Sequence, residues 1–93
     1  MQRYVHSPAW AKTVNRIIRT QMVLHGVSYA VLKVRLASIG THQNEANLRN
    51  KISKGIMGAQ LFLQILTVLG CEKLDMSDVG KILAEIESNQ GQT

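Results

Sequence analysis

Apolar residues recur along this chain at spacings of three and four positions, which is the period of an amphipathic helix. The first such stretch follows Ser7 and Pro8, a typical helix start, and ends at Gly26. We therefore expect a first helix over about residues 8–25, with Trp10 on its buried face.

Four later segments show the same pattern, with polar capping residues before the second, third and fifth helices and glycine stops after the second, third and fourth. They predict helices over about residues 29–39, 43–53, 59–69 and 78–88. Thr41 is the expected cap of the third helix, and Asp75 or Ser77 opens the fifth. Because no alternating apolar and polar run favours a strand, the sequence predicts one compact all-α domain. This five-helix domain covers residues 1–88, and a disordered tail covers residues 89–93.

The length and composition indicate a small single-domain protein. A length of 93 residues with 45% hydrophobic content suits one domain with a modest core. Cys71 is the single cysteine, which excludes an intramolecular disulfide and favours a reducing environment.

The longest uncharged stretch, residues 55–71, is shorter than the roughly 20 residues that span a bilayer. The first ten residues lack the apolar segment of a signal peptide. We expect a cytoplasmic protein with no membrane association.

Charge is distributed unevenly. Residues 1–54 contain nine Lys and Arg residues and one acid, Glu45, whereas residues 55–93 contain two Lys and five acids. The excess of basic residues in the N-terminal part, residues 1–54, indicates a surface that binds a polyanion such as DNA. The alternative is a solvated surface that is simply rich in Lys and Arg.

The third predicted helix lies in "THQNEANLRNKISKG", where only Leu48 and Ile52 provide a strong apolar anchor. It follows the second helix across a Gly-containing turn, as in a helix-turn-helix. Asn and Gln can pair with adenine, while Arg and Lys can pair with guanine or bind phosphate. Asn is also a poor helix former, which argues against an ordinary solvated helix.

The sequence therefore predicts a small sequence-specific protein that binds double-stranded DNA, with helix 43–53 in the major groove. The expected base readers are Gln43, Asn44, Asn47 and Asn50. The expected guanine or phosphate contacts are Arg49, Lys51 and Lys54. Further electrostatic attraction is expected from Arg16, Arg19, Lys33 and Arg35.

A helix this short reads only a few base pairs, so we expect a homodimer on two half-sites. The expected interface is the apolar stripe of the fifth helix, formed by Val79, Ile82, Leu83 and Ile86. The alternative is that this stripe only closes the core.

The segments "GVSYAVLKVRLASIG", "NLRNKISKG" and "LFLQILTVLG" resemble the Cro/lambda-repressor-like helix-turn-helix domains. They resemble more closely a bacterial family of small proteins of unknown function. The resemblance covers about Trp10 to Gly70 and implies a five-helix repressor-like domain, usually a dimer that regulates transcription. Lys33 replaces the usual small residue, and "GTHQNEA" is longer than the usual turn. We therefore expect an open loop and a tilted third helix.

Other chemistry has no support in the sequence. His6, His25 and His42 lack metal-ligand spacing, and one cysteine cannot complete a zinc site. There is no Gly-rich phosphate loop and no nucleophile motif. We expect no enzyme activity, metal or cofactor.

The leading hypothesis is a transcriptional repressor. The alternative is a protein-interaction module, such as an adaptor, antitoxin or anti-repressor, that uses helix 78–88. RNA binding is weaker, because aromatic residues are few.

Overall fold

The computed structural model describes the backbone of residues 7–91 and the side chains of residues 7–89. The described residues form five helices: α1 Pro8–His25, α2 Tyr29–Ser38, α3 Glu45–Lys54, α4 Ala59–Leu69 and α5 Met76–Gly91. No strand occurs among the described residues. The prediction of an all-α fold with five helices is confirmed.

The start of α3 differs from the prediction. Asn44, not Thr41, is the capping residue, since its Oδ1 accepts hydrogen bonds from the backbone N–H groups of Ala46 (2.7 Å) and Asn47 (3.2 Å). The prediction of Thr41 as the cap is wrong. The Thr41 hydroxyl instead donates to Oε1 of Gln64, 3.1 Å away on α4. Gln43, which was placed in the first turn, precedes the helix.

The last helix is longer than predicted at both ends. Asp75 precedes it, and its Oδ1 accepts hydrogen bonds from the Ser77 hydroxyl and the Ser77 N–H, both at 2.8 Å. These bonds favour the carboxylate and lower the pKa of Asp75 below its ordinary value. α5 continues through residues 89–91, which the sequence predicts as part of the disordered tail, while residues 92–93 lie outside the described part.

The core forms between the first four helices. Leu48 and Ile52 of α3 are completely buried there. The cluster consists of Ile18, Met22, Val27, Leu32, Leu36, Leu48, Ile52, Ile65 and Leu69. A second cluster of Ile17, Leu66 and Val79 attaches α5 to α1 and α4.

Trp10 does not lie in the core, contrary to the prediction, because 52% of its surface is exposed. The buried positions in this part of α1 are Ala9 and Thr13, and the Thr13 hydroxyl donates to the Ala9 carbonyl at 2.8 Å. Trp10 instead borders a surface cleft with Ile56 and Met57.

The position of α3 is fixed by its C-terminal end. Gly55 ends the helix with a left-handed backbone (φ 68°), and a Cβ atom there would collide with the carbonyl group of Ala11. In the same region the Asn15 side-chain amide donates to the Ile52 carbonyl at 2.8 Å. These contacts hold α3 against α1, and α4 then leaves at an angle of 105° to α3.

Among residues 7–91, no single helix is long and apolar enough to cross a bilayer. α3 and α4 meet the length and composition criteria only when taken together across their 105° bend.

The contact at Gly55 predicts a loss of stability that exceeds the effect of backbone conformation alone. Gly26 is a matched control, because it ends α1 with a similar φ of 64° but has no atom within 4 Å of its Cβ position. We expect Gly26→Ala to cost about 1–2 kcal/mol for the left-handed backbone. Gly55→Ala must cost more, because the backbone of Ala11 also has to move. Urea unfolding of both variants measures the difference, and equal losses would contradict this packing.

Candidate nucleic-acid interface

The outer face of α3 presents side-chain amides to solvent. Successive residues are about 100° apart around a helix, so Asn50 lies opposite the buried pair Leu48 and Ile52. Asn47 and Lys54 are exposed on the same side as Asn50. The side chains of Asn47, Asn50 and Lys54 take part in no hydrogen bond between described residues. Their donors and acceptors are therefore available to a ligand.

Cations lie on both flanks of this amide face. On one flank, the guanidinium of Arg49 lies 4.6 Å from the centroid of the Tyr29 ring and 3.3 Å from Oε2 of Glu45. On the other flank, Nζ of Lys51 donates to Oε1 of Gln43 at 3.2 Å. The Glu45–Arg49 ion pair is exposed, and exposed pairs contribute little to stability. Arg49 can therefore exchange its carboxylate partner for a phosphate.

Asn44 has a structural role that conflicts with its predicted use as a base reader. A bidentate contact with adenine needs both the oxygen and the amide nitrogen of the side chain. The Asn44 oxygen already accepts two backbone hydrogen bonds at the start of α3. Reading a base in that way would remove the helix cap.

The other predicted cations divide into two groups. Arg19 lies on the side of α3, because its guanidinium is 5.8 Å from the centroid of the Tyr29 ring that Arg49 also contacts. Lys33 is exposed one turn after Tyr29 on α2. Arg16 and Arg35 have partners on other helices.

Arg16 and Arg35 connect helices to each other. Nη1 of Arg16 lies 2.6 Å from a carboxylate oxygen of Glu85 on α5. Nη1 of Arg35 donates to the backbone carbonyl of Val68 at 3.0 Å, in the last turn of α4. A cation at a helix C-terminus interacts favourably with its unpaired carbonyl groups. Both side chains therefore have a partner on another helix in this structure.

The apolar stripe of α5 that is predicted as the dimer interface is partly buried against other helices of the same chain. Val79 and Ile86 are only 7% and 4% exposed, and Val79 packs with Ile17 of α1. Ile82 is half-buried against the same cluster, and Leu83 is also half-buried. For Val79 and Ile86 the structure thus supports the alternative that the stripe closes the core.

Sequence reasoning missed Tyr29, the residue that brings Arg19 and Arg49 together. The three residues are 10 and 20 positions apart along the chain and come from α1, α2 and α3. No local pattern predicts such a contact, because it depends on how the three helices pack. For metal binding, the described residues contain no group of three or more His, Cys, Asp or Glu side chains that could hold an ion.

Comparison with protein families gives a match over most of the chain. The model of one protein family matches residues 10–74, and that family is described as a domain of unknown function (DUF6471). No curated protein and no solved structure matches the sequence.

The capping role of Asn44 predicts a specific loss of stability. We expect Asn44→Ala to lower the free energy of unfolding by about 0.5–2 kcal/mol, because two backbone N–H groups lose their acceptor. Asn47→Ala is the control in the same helix. It should not destabilise the protein, because Asn47 is exposed and Ala is the better helix former. Thermal or urea unfolding followed by circular dichroism compares them, and equal stability of the two variants would contradict the assignment.

Proposed function

We propose that this chain, which belongs to the DUF6471 family, binds double-stranded DNA in a sequence-specific way through α3. One observation carries the proposal. The exposed face of α3 has amide side chains at its centre and cations on both flanks. A helix that lies in the major groove meets base edges at its centre and a phosphate backbone on either side.

The roles of individual residues follow from their positions on this face. Asn47 and Asn50 are the proposed base readers, because they are exposed and their side chains are unoccupied. Arg49 and Lys51 on the flanks are the proposed phosphate or guanine contacts, and Lys54 on the outer face is a proposed phosphate contact. The burial of Leu48 and Ile52 supports the proposal, since it anchors α3 to the core and keeps the polar face outward.

The proposed architecture is a variant of the repressor-like helix-turn-helix formed by α2 and α3. Six residues, 39–44, connect the two helices, whereas three or four are usual in this motif. The long connection supports the expected open loop. We propose that α3 is the helix that enters the groove, and that Lys33 of α2 contacts the adjacent backbone.

The proposed biological role is transcriptional repression by a homodimer in the cytoplasm, bound to the nucleoid. A ten-residue helix covers few base pairs, so two copies are needed for a site of useful length. The second hypothesis, an interaction module based on α5, gains no support. Burial of Val79 and Ile86 leaves less apolar surface on α5 than the sequence suggested.

The first prediction from this proposal separates base reading from charge. In Asn50→Ala we expect discrimination at one base pair to fall by about 1–3 kcal/mol, with the salt dependence unchanged. In Lys54→Gln we expect the slope of log K against log salt to become shallower by about 0.9, with base preference unchanged. The controls are Asn89→Ala and Lys81→Gln, two exposed positions on α5.

The measurement is fluorescence anisotropy over a salt series, with a duplex selected from a random pool. Failure of the unmodified protein to bind any duplex at low salt would overturn the proposed function. Binding without sequence enrichment would overturn base reading while keeping DNA as the partner.

The second prediction concerns the dimer. If two copies meet through the part of the α5 stripe that remains accessible, Leu83→Glu should give a monomer, because it places a charge in the contact. Sedimentation with and without DNA measures the mass, and circular dichroism checks that the variant stays folded. The dimer would be excluded if the unmodified protein were monomeric at micromolar concentration both free and on DNA.

A further inference from the structure

We infer that Arg19, Tyr29 and Arg49 form a binding site for a single backbone phosphate of DNA, and that Glu45 partly occupies this site in the free protein. The inference rests on the proposed function and deepens it, because it assigns one phosphodiester to residues from three helices.

The two guanidinium groups converge on one aromatic ring. Arg49 of α3 lies 4.6 Å and Arg19 of α1 lies 5.8 Å from the centroid of the Tyr29 ring. Each guanidinium is attracted by the negative π-electron density of the ring, and the ring itself carries no charge that would neutralise them. Glu45 is the one carboxylate that pairs with either arginine among the described residues. The cluster therefore keeps an excess of positive charge that one phosphodiester anion would balance.

The cluster retains hydrogen-bond donors for such an anion. A guanidinium has five N–H donors. Arg49 uses one nitrogen, Nη2, toward Glu45, and Arg19 donates to no described residue. Both side chains are exposed, so these donors face solvent. Phosphate oxygens accept paired hydrogen bonds from guanidinium groups in a favourable geometry.

The location of the cluster suits a phosphate next to the groove. Tyr29 is the first residue of α2, where unpaired backbone N–H groups and the helix dipole favour an anion. Arg49 lies on the flank of the α3 amide face. With α3 in the major groove, that flank faces one of the two bordering backbones. The same phosphate could then contact α1, α2 and α3.

The ion pair between Glu45 and Arg49 suggests how the free protein balances part of the positive charge of the site. Its Oε2–Nη2 distance of 3.3 Å is long for a charge-assisted hydrogen bond, and the Glu45 and Arg49 side chains are 42% and 58% exposed. Such a pair is weak and can be replaced by a phosphate. Glu45 therefore competes with DNA for Arg49 and lowers the affinity.

The alternative is that the cluster only fastens three helices together. Cation–π contacts at exposed sites contribute about 0.5–1 kcal/mol each, so the fold should tolerate the loss of one arginine. A structural role would change the stability of the free protein and leave the salt dependence of DNA binding intact. The two roles can thus be measured separately.

The test is a salt series of DNA affinity for Arg19→Gln, Arg49→Gln and the double variant, with Lys81→Gln on α5 as the control. We expect each single change to make the slope shallower by at most about 0.9. The double change should also give about 0.9, because both arginines neutralise the same phosphate. We further expect Glu45→Gln to raise the affinity by up to about fivefold. Circular dichroism confirms that each variant is folded.

Two results would overturn the inference. The first is an unchanged slope in the double variant. The second is a change of about 1.8 in the double variant, which would mean two separate phosphates. Unchanged or weaker binding by Glu45→Gln would overturn the role of Glu45. In each case the unmodified protein still binds DNA, so the proposed function stands. If the unmodified protein binds no duplex, the proposed function fails and the phosphate site fails with it.

Discussion

The close contact between Gly55 and the Ala11 carbonyl positions α3, and the rest of the candidate surface depends on that position. α3 has only two fully buried side chains, Leu48 and Ile52. Two anchors on one short helix would allow it to rock or slide. The left-handed end at Gly55, together with the hydrogen bond from Asn15 to the Ile52 carbonyl, fixes its C-terminal end on α1. The orientation of the outer face is therefore set by a contact on the opposite side of the helix.

This anchoring explains how such a polar helix can be stable. Three Asn residues lie between positions 44 and 50, and Asn has low helix propensity. Short helices in proteins are stabilised mainly by tertiary packing. Here Asn44 offsets part of the propensity loss by acting as the cap, while Asn47 and Asn50 contribute nothing visible to the fold. Residues that neither pack nor cap are good candidates for a binding role, and this argument supports the proposed base readers.

The sequence predicted the helices well and the individual contacts poorly, for physical reasons. Helix period, proline at the start and glycine at the end are local signals, and they located α1 and α4 at their observed bounds. Thr41 and Asn44 are both good capping residues. The choice between them depends on the position of Gln64 in the fold, because its side-chain oxygen accepts a hydrogen bond from the Thr41 hydroxyl. Trp10 fits an apolar stripe on a helical wheel, but Ala9 and Thr13 are the buried positions in this part of α1.

The same distinction applies to charge. The excess of cations in residues 1–54 is a property of the sequence, but their roles depend on distant neighbours. Glu85 and Val68 hold Arg16 and Arg35 in the packing of α5 and α4, whereas Tyr29 gathers Arg19 and Arg49 beside α3. Fewer of these cations are therefore gathered at the Tyr29 ring beside α3 than the composition suggests. Electrostatic attraction from such a surface has to be concentrated at a few sites. The proposed site, formed by Arg19, Tyr29 and Arg49 on three helices, concentrates positive charge in this way. Because its residues come from α1, α2 and α3, the position of the bound DNA backbone would depend on the same helix packing that orients α3.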